Sequence, residues 1–204
     1  MTDSKEYILW LPSWYPNEFE PYNGDFIQRH AIATSNYCKI VVFHFMQLGA
    51  AFQPNNSYFK KDDLPNLTEY RIAPSFVPTG NKLIDKFLYN YKYYNYAKKI
   101  LDKYFEENGL PKIVHVHVPL KAGNLALWIR RKYRIDYVLS EHSSHYLPIS
   151  SDSYFSKSYF YKIQVRNIFK GAISISNVSA TVGQIIKKIF SLNKIETIHN
   201  TVNI

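Results

Sequence analysis

Short runs rich in β-branched and aromatic residues alternate along the chain with longer stretches whose apolar positions recur every three or four residues. The short runs are Tyr7–Leu11, Lys39–Phe45, Thr68–Ile72, Lys112–Val118, Asp136–Ser140, Gly171–Ser176 and Lys194–His199. Several are apolar on both faces, the pattern of a strand buried inside a parallel sheet. Between them the spacing predicts helices over Gly24–Asn36, Leu83–Phe105, Leu120–Tyr133, Tyr154–Lys170 and Val178–Phe190. In the longest, Ile84, Phe87, Tyr91, Tyr94, Ala97, Leu101 and Tyr104 fall on one stripe. Strand–helix alternation over the whole chain predicts an α/β fold with a doubly wound, mainly parallel, Rossmann-like sheet. Pro12–Asn23 and Gln47–Leu67 read as the long irregular connections. With no linker, low-complexity tract or repeat, residues 1–204 are expected to form a single domain.

Composition narrows the function classes. Hydrophobic residues make up 46% and charged residues 20% of the 204, which excludes a disordered chain. The single cysteine, Cys38, excludes a disulfide framework and a multi-cysteine zinc site. It opens the second predicted strand, the wrong end for a nucleophile. The net charge of +9 suits a polyanionic partner: phosphates, anionic lipid or nucleic acid. No helix-turn-helix or RNA-reading aromatic motif is present, so nucleic acid is not the expected partner. The longest apolar runs, such as Ile40–Met46, are far too short to cross a bilayer. The N-terminus lacks the pattern of a signal peptide. A cytoplasmic location is expected, with peripheral attachment to the inner face of the membrane as one use of the charge.

In doubly wound sheets ligands bind beyond the carboxyl ends of the strands. After the first strand, Asn23 is the expected N-cap of the following helix, and Gly24 lets a ligand or backbone approach its start. The segment is not a GxGxxG fingerprint, and no acidic residue follows the second strand, which disfavours dinucleotide chemistry. His115 and His117 share a face of the fourth predicted strand. Glu141, His142, Ser143 and His145 follow the fifth. EHSSH matches no zinc pattern, so no metal is expected. His115 reads as a core histidine. His117 and His142 close strands at the site face, and Glu141 is placed to orient or charge the imidazole of His142. No G-x-S-x-G elbow is present. Arg130, Arg131 and Lys132 lie in a basic cluster at Trp128–Arg134, and Lys92, Lys99 and Lys103 fall on one helical stripe. These read either as solvated faces or as a surface for an anionic membrane.

LPSWYPNEFEPYNGDFIQRHAIA resembles the opening of bacterial GT-B glycosyltransferases of the retaining family 4 type, with its SWYP and N-G-x-F-I. KIVHVHVPLKAGNLALWIRRKYRIDYVLSEHSSHY resembles that family's central V-H-x-H strand, helix and S-E-H strand end. GAISISNVSATV and IETIHNTVN resemble its next strand and helix and the passage into a second domain, although His199 stands where the family usually has Pro. The resemblance implies the N-terminal, acceptor-binding half of a GT-B fold, with the donor-binding domain beyond this chain and the fragment inactive alone. It implies a nucleotide-sugar donor as substrate, a glycan or glycolipid acceptor in surface polysaccharide or lipid-linked glycan synthesis, and no required metal or cofactor. It further implies that Gly24 lies near the donor phosphates, that His142 contacts the transferred sugar with Glu141 and Ser143 beside it and His117 close by, and that Trp14, Tyr15 and Tyr22 shape the acceptor pocket. Two other functions remain open: a non-catalytic α/β module binding an anionic membrane or a protein partner, and a nucleotide-sugar epimerase or hydrolase of similar fold.

Overall fold

The computed structural model describes residues 6–46, 57–150 and 152–200. Eight strands form one sheet in the order β3-β4-β2-β1-β5-β6-β7-β8. They are β1 Tyr7–Pro12, β2 Lys39–Phe45, β3 Tyr58–Leu64, β4 Leu67–Ala73, β5 Ile113–His117, β6 Tyr137–Glu141, β7 Ser174–Asn177 and β8 Glu196–Thr197. Every pairing is parallel except that of β3 with β4. From β1 the order runs outward through β2 on one side and β5 on the other. The crevice between β1 and β5 is therefore the point where loops part to opposite faces and ligands lodge.

Helix α1 (Asp25–Ser35) packs on one face, with Trp10, Tyr15, Ile27, Ala31, Ile40, Val42 and Leu67 as its core. Helices α2 (Lys82–Asn108), α3 (Ala122–Tyr133), α4 (Tyr159–Gly171) and α5 (Ala180–Phe190) contribute to the larger core on the other face. That core joins Leu9, Leu11, Val114, Val116 and Leu139 of the strands to Leu101, Ile129, Ile168 and Ile186 of the helices. Burial of such side chains contributes about 1.5–3 kcal/mol each, so the sheet is a rigid platform for the loops at its carboxyl edge.

Three expectations are corrected. The stretch read as irregular up to Leu67 contains β3, which pairs antiparallel with β4 around Pro65–Asn66, Asn66 adopting φ 57. Residues 47–56 of that stretch lie outside the described residues. The stripe on α2 is displaced: Tyr93, Ala97, Leu101 and Phe105 are buried, whereas Phe87 and Tyr91 face solvent at 71% and 63% exposure. The helix predicted from Tyr154 is broken. A 3-10 turn spans Tyr154–Ser156, and Ser158, in extended backbone, caps the start of α4 by accepting from the Tyr161 N–H.

Candidate functional site

At the carboxyl edge, between the loops after β1 and β5, lies a cavity of about 500 Å³. Ser13 and Trp14 border it from the first loop, Val118–Lys121 from the loop after β5, and Glu141 and Ser143 from the end of β6. Tyr93 of α2 and Tyr161 of α4 wall the opposite side. Ser13 joins the two loops: its N–H donates to the carbonyl of His117 at 2.9 Å, and its hydroxyl contacts the carbonyls of Val118 and Leu120.

Gly24 adopts φ 71 and ψ 28 as the N-cap of α1. A Cβ there would lie 2.7 Å from the carbonyl carbon and oxygen of Trp14. Close approach is thus required, by the protein's own backbone. Asn23 does not cap the helix, correcting the sequence expectation: its amide donates to Glu20 at 2.8 Å, and it borders the cavity. Trp14 also borders the cavity, whereas Tyr15 is 0% exposed and its hydroxyl donates to Glu69. Tyr15 therefore anchors the loop from below and cannot touch a ligand in the cavity. Gln28 and Arg71 complete that buried cluster, donating to Glu69 at 2.9 Å and 3.2 Å. Tyr22 is exposed and outside the cavity lining.

Side chains of consecutive residues at a strand end point to opposite faces. Glu141 accordingly turns toward the larger core, at 1% exposure, where Ser143 N–H (2.7 Å) and Tyr146 hydroxyl (3.1 Å) donate to it. Burial raises its pKa, opposed by those hydrogen bonds. His142 turns to the α1 face, where its Nε2 meets Nδ1 of His117 at 3.1 Å and its ring packs on Phe26. Glu141 therefore does not orient the His142 imidazole; His117 does. His115 bonds to Ser140 at 2.8 Å and Ser140 to Ser176 at 2.8 Å, a polar ladder across three strands. Burial lowers the pKa of His115 to about 3 and of His142 to about 4, and holds His117 well below the usual value. All three are neutral at physiological pH. No group of three or more histidine, cysteine or acidic side chains among the described residues is placed to hold a metal ion.

Of the residues expected at the site, Trp14, Asn23, Glu141 and Ser143 come together around the cavity; Tyr15, Gly24, His117 and His142 lie outside its lining. The basic trio lies at the other rim, in the last turn of α3. Arg130 is engaged, donating to Asp136 at 3.0 Å and to the carbonyl of Gly171 at 2.8 Å, and Lys132 pairs with Asp102 at 2.8 Å. Sequence reasoning missed His44, Tyr93, Lys121, Lys157 and Tyr161, which also border the cavity. His44, one residue from the end of β2, and Lys121, in the loop after β5, lie near carboxyl strand ends, the position that could have signalled them.

Residues 31–204 match the family model described as Glycosyltransferase Family 4. Among solved structures, sucrose-phosphate synthase from Thermosynechococcus elongatus is similar with a TM-score of 0.66 at 13% sequence identity. The match covers 98% of this chain and 49% of that one, so the chain spans about half that enzyme's length, and at this identity the likeness concerns the fold. No curated protein sequence matches.

Proposed function

The chain belongs to glycosyltransferase family 4, and from that premise we propose that it is the acceptor-side half of a retaining enzyme moving a sugar from a nucleotide sugar to a glycan or glycolipid. The observation that carries the reading is the cavity at the β1/β5 crevice, bordered by the partly exposed side chains of Trp14, Ser143 and Tyr161. Flat rings suit sugar faces, and a few fixed polar groups suit hydroxyls. The donor is held by a second domain that closes over this edge.

Catalysis in this reading is positioning and charge stabilisation, with the leaving diphosphate assisting attack from the same face. His142, neutral and held by His117, hydrogen-bonds the transferred sugar, and Glu141 fixes the Ser143 loop beside it. No cofactor or metal is required. The work is done at the cytoplasmic face of a membrane. Leu83 and Phe87 of α2 and Tyr159 and Phe160 of α4 are exposed, with Lys82, Lys86 and Arg166 among them, and this pattern favours attachment to an anionic bilayer. No helix among the described residues is long and apolar enough to cross one.

The test is release of nucleoside diphosphate from UDP- and GDP-sugars by the whole gene product, with and without a membrane-lipid and oligosaccharide extract. Release that depends on the extract supports transfer. Equal release without acceptor indicates a hydrolase, and sugar interconversion without release an epimerase.

A further inference from the structure

Lys121 occupies a junction. It borders both the cavity at the carboxyl edge and a larger groove, of about 1020 Å³, between α2 and α4. Phe76, Pro78, Tyr89, Leu120, Phe160 and Ile163 make much of that groove apolar. The amine of Lys121 is buried and has no hydrogen-bond partner among the described residues. It stands 4.4 Å from the ring centre of Tyr93 and 5.0 Å from that of Tyr89. Burial alone pushes its pKa down to about 7, with no carboxylate opposing the shift.

The other charged groups around the cavity differ. Lys157 pairs with Asp152, Glu20 accepts from Asn23, and Glu141 accepts from Ser143 and Tyr146. Ring faces stabilise a cation but accept none of the three N–H bonds an ammonium offers as a shaped acceptor would. The backbone holds the residue in place at a cost: Lys121 has φ 60 and ψ −61, and Val118, three residues earlier, has φ 65. Such conformations persist where the surroundings over-determine them, here through the Ser13 contacts.

We propose that Lys121 is an anion anchor whose ammonium binds a phosphate on the acceptor, at the point where the cavity meets the groove. This rests on the acceptor-side reading above. A phosphate diester fits the junction because it carries a substituent on each side: a sugar directed into the polar cavity and a second group into the groove. The diester of a lipid-linked sugar fills both, whereas the monoester of a soluble sugar phosphate fills the cavity alone. The phosphate belongs either to a soluble sugar phosphate or to a lipid-linked sugar.

Calorimetric titration with glucose 1-phosphate, its octyl phosphodiester and octyl glucoside tests the proposal in wild type, Lys121→Met and Lys121→Arg. The phosphodiester is expected to bind wild type at least ten-fold tighter than octyl glucoside. That preference is lost in Lys121→Met and largely returns in Lys121→Arg. Glucose 1-phosphate binding as tightly as the diester identifies the soluble source, and a clear advantage of the diester identifies the lipid. No preference for phosphate in wild type, or a preference surviving in Lys121→Met, overturns the proposal. Should Lys121→Met not fold, the nitrogen shift of the Lys121 amine in wild type decides: its titration is expected to move above pH 7 when the diester binds, and an unmoved titration overturns the assignment. None of these measurements needs a donor. A protein that transfers sugar without phosphate preference fails this inference alone, and one that binds phosphate without transferring sugar fails the proposed function alone.

Discussion

The imidazoles of His117 and His142 lie nearly parallel, 11° apart, with Nδ1 of the first 3.1 Å from Nε2 of the second. One must donate and the other accept, so their tautomers are coupled. Among the described residues the outer nitrogen of His117, Nε2, has no hydrogen-bond partner, whereas the side chain of Asn200 hydrogen-bonds the His142 imidazole. The two rings differ in exposure: His117 is 1% exposed, and His142 is only partly covered. His142→Ala is therefore expected to lower turnover of the whole gene product by roughly 10²-fold with little change in melting temperature. His117→Ala is expected to cost roughly 1–3 kcal/mol of stability. Kinetics and denaturant unfolding of both variants check this, and normal turnover in a folded His142→Ala protein would remove His142 from the chemistry.

Gly24→Ala tests how the first loop is held. The added methyl meets the Trp14 backbone at 2.7 Å, and the residue must keep φ 71. Left-handed backbone and a clash against a carbonyl that cannot rotate away together cost roughly 2–4 kcal/mol. Urea unfolding measures the loss; a change below about 0.5 kcal/mol would mean that the loop moves freely.

Stability should fall on mild acidification. His44 and His115 have folded pKa values near 4 and 3, depressed mainly by burial. The unfolded chain takes up protons first as pH drops below about 6.5, so this contribution is complete above that pH and is lost progressively toward pH 4. Each imidazole contributes at most about 1.4 kcal/mol per pH unit, giving a loss of roughly 2–4 kcal/mol between pH 7 and pH 5. Glu141, with its raised pKa, acts in the opposite sense at the acid end. Urea midpoints across this range measure the slope, which His44→Phe should reduce; a flat profile refutes the assignment of neutral buried histidines.

The basic cluster on α3 separates into structural and surface charges. Arg130→Ser removes a charged hydrogen bond to the carbonyl of Gly171 and is expected to cost about 1.5–3 kcal/mol, whereas Arg131→Ser stays within about 0.5 kcal/mol. Binding to phosphatidylglycerol vesicles should be weakened by Phe87→Ser with Phe160→Ser and little affected by Arg131→Ser. Sedimentation with vesicles gives the answer, and loss of binding on Arg131→Ser alone would return the membrane surface to α3.

The sheet was legible because buried parallel strands such as β1, β2 and β5 must be apolar on both faces, leaving runs that few other structures produce. The edge strand β3 was not. Its YFKKDDL sequence is solvated and charged, as an edge requires, and only the Pro65–Asn66 turn signals the hairpin. Periodicity placed α2 but not its buried side, because Phe87 and Tyr91 are as apolar as Tyr93 and Phe105 while lying beyond the core. At the site, strand ends pointed to Glu141, His142 and His117. The sequence could not reveal that neighbours on β6 part to opposite faces, or that Tyr15 is taken up by Glu69, 54 residues away. Lys121 lies in a loop at the site face, but nothing local in the sequence distinguishes a buried lysine from a solvated one.

The most direct measurement is the effect of filling the cavity on the two substrate Michaelis constants. Ser143→Trp, assayed in the whole gene product, puts a large side chain into the lining of the cavity. An acceptor KM raised at least ten-fold is expected, with donor KM within two-fold of wild type. A raised donor KM with an unchanged acceptor KM would contradict the assignment of this cavity to the acceptor.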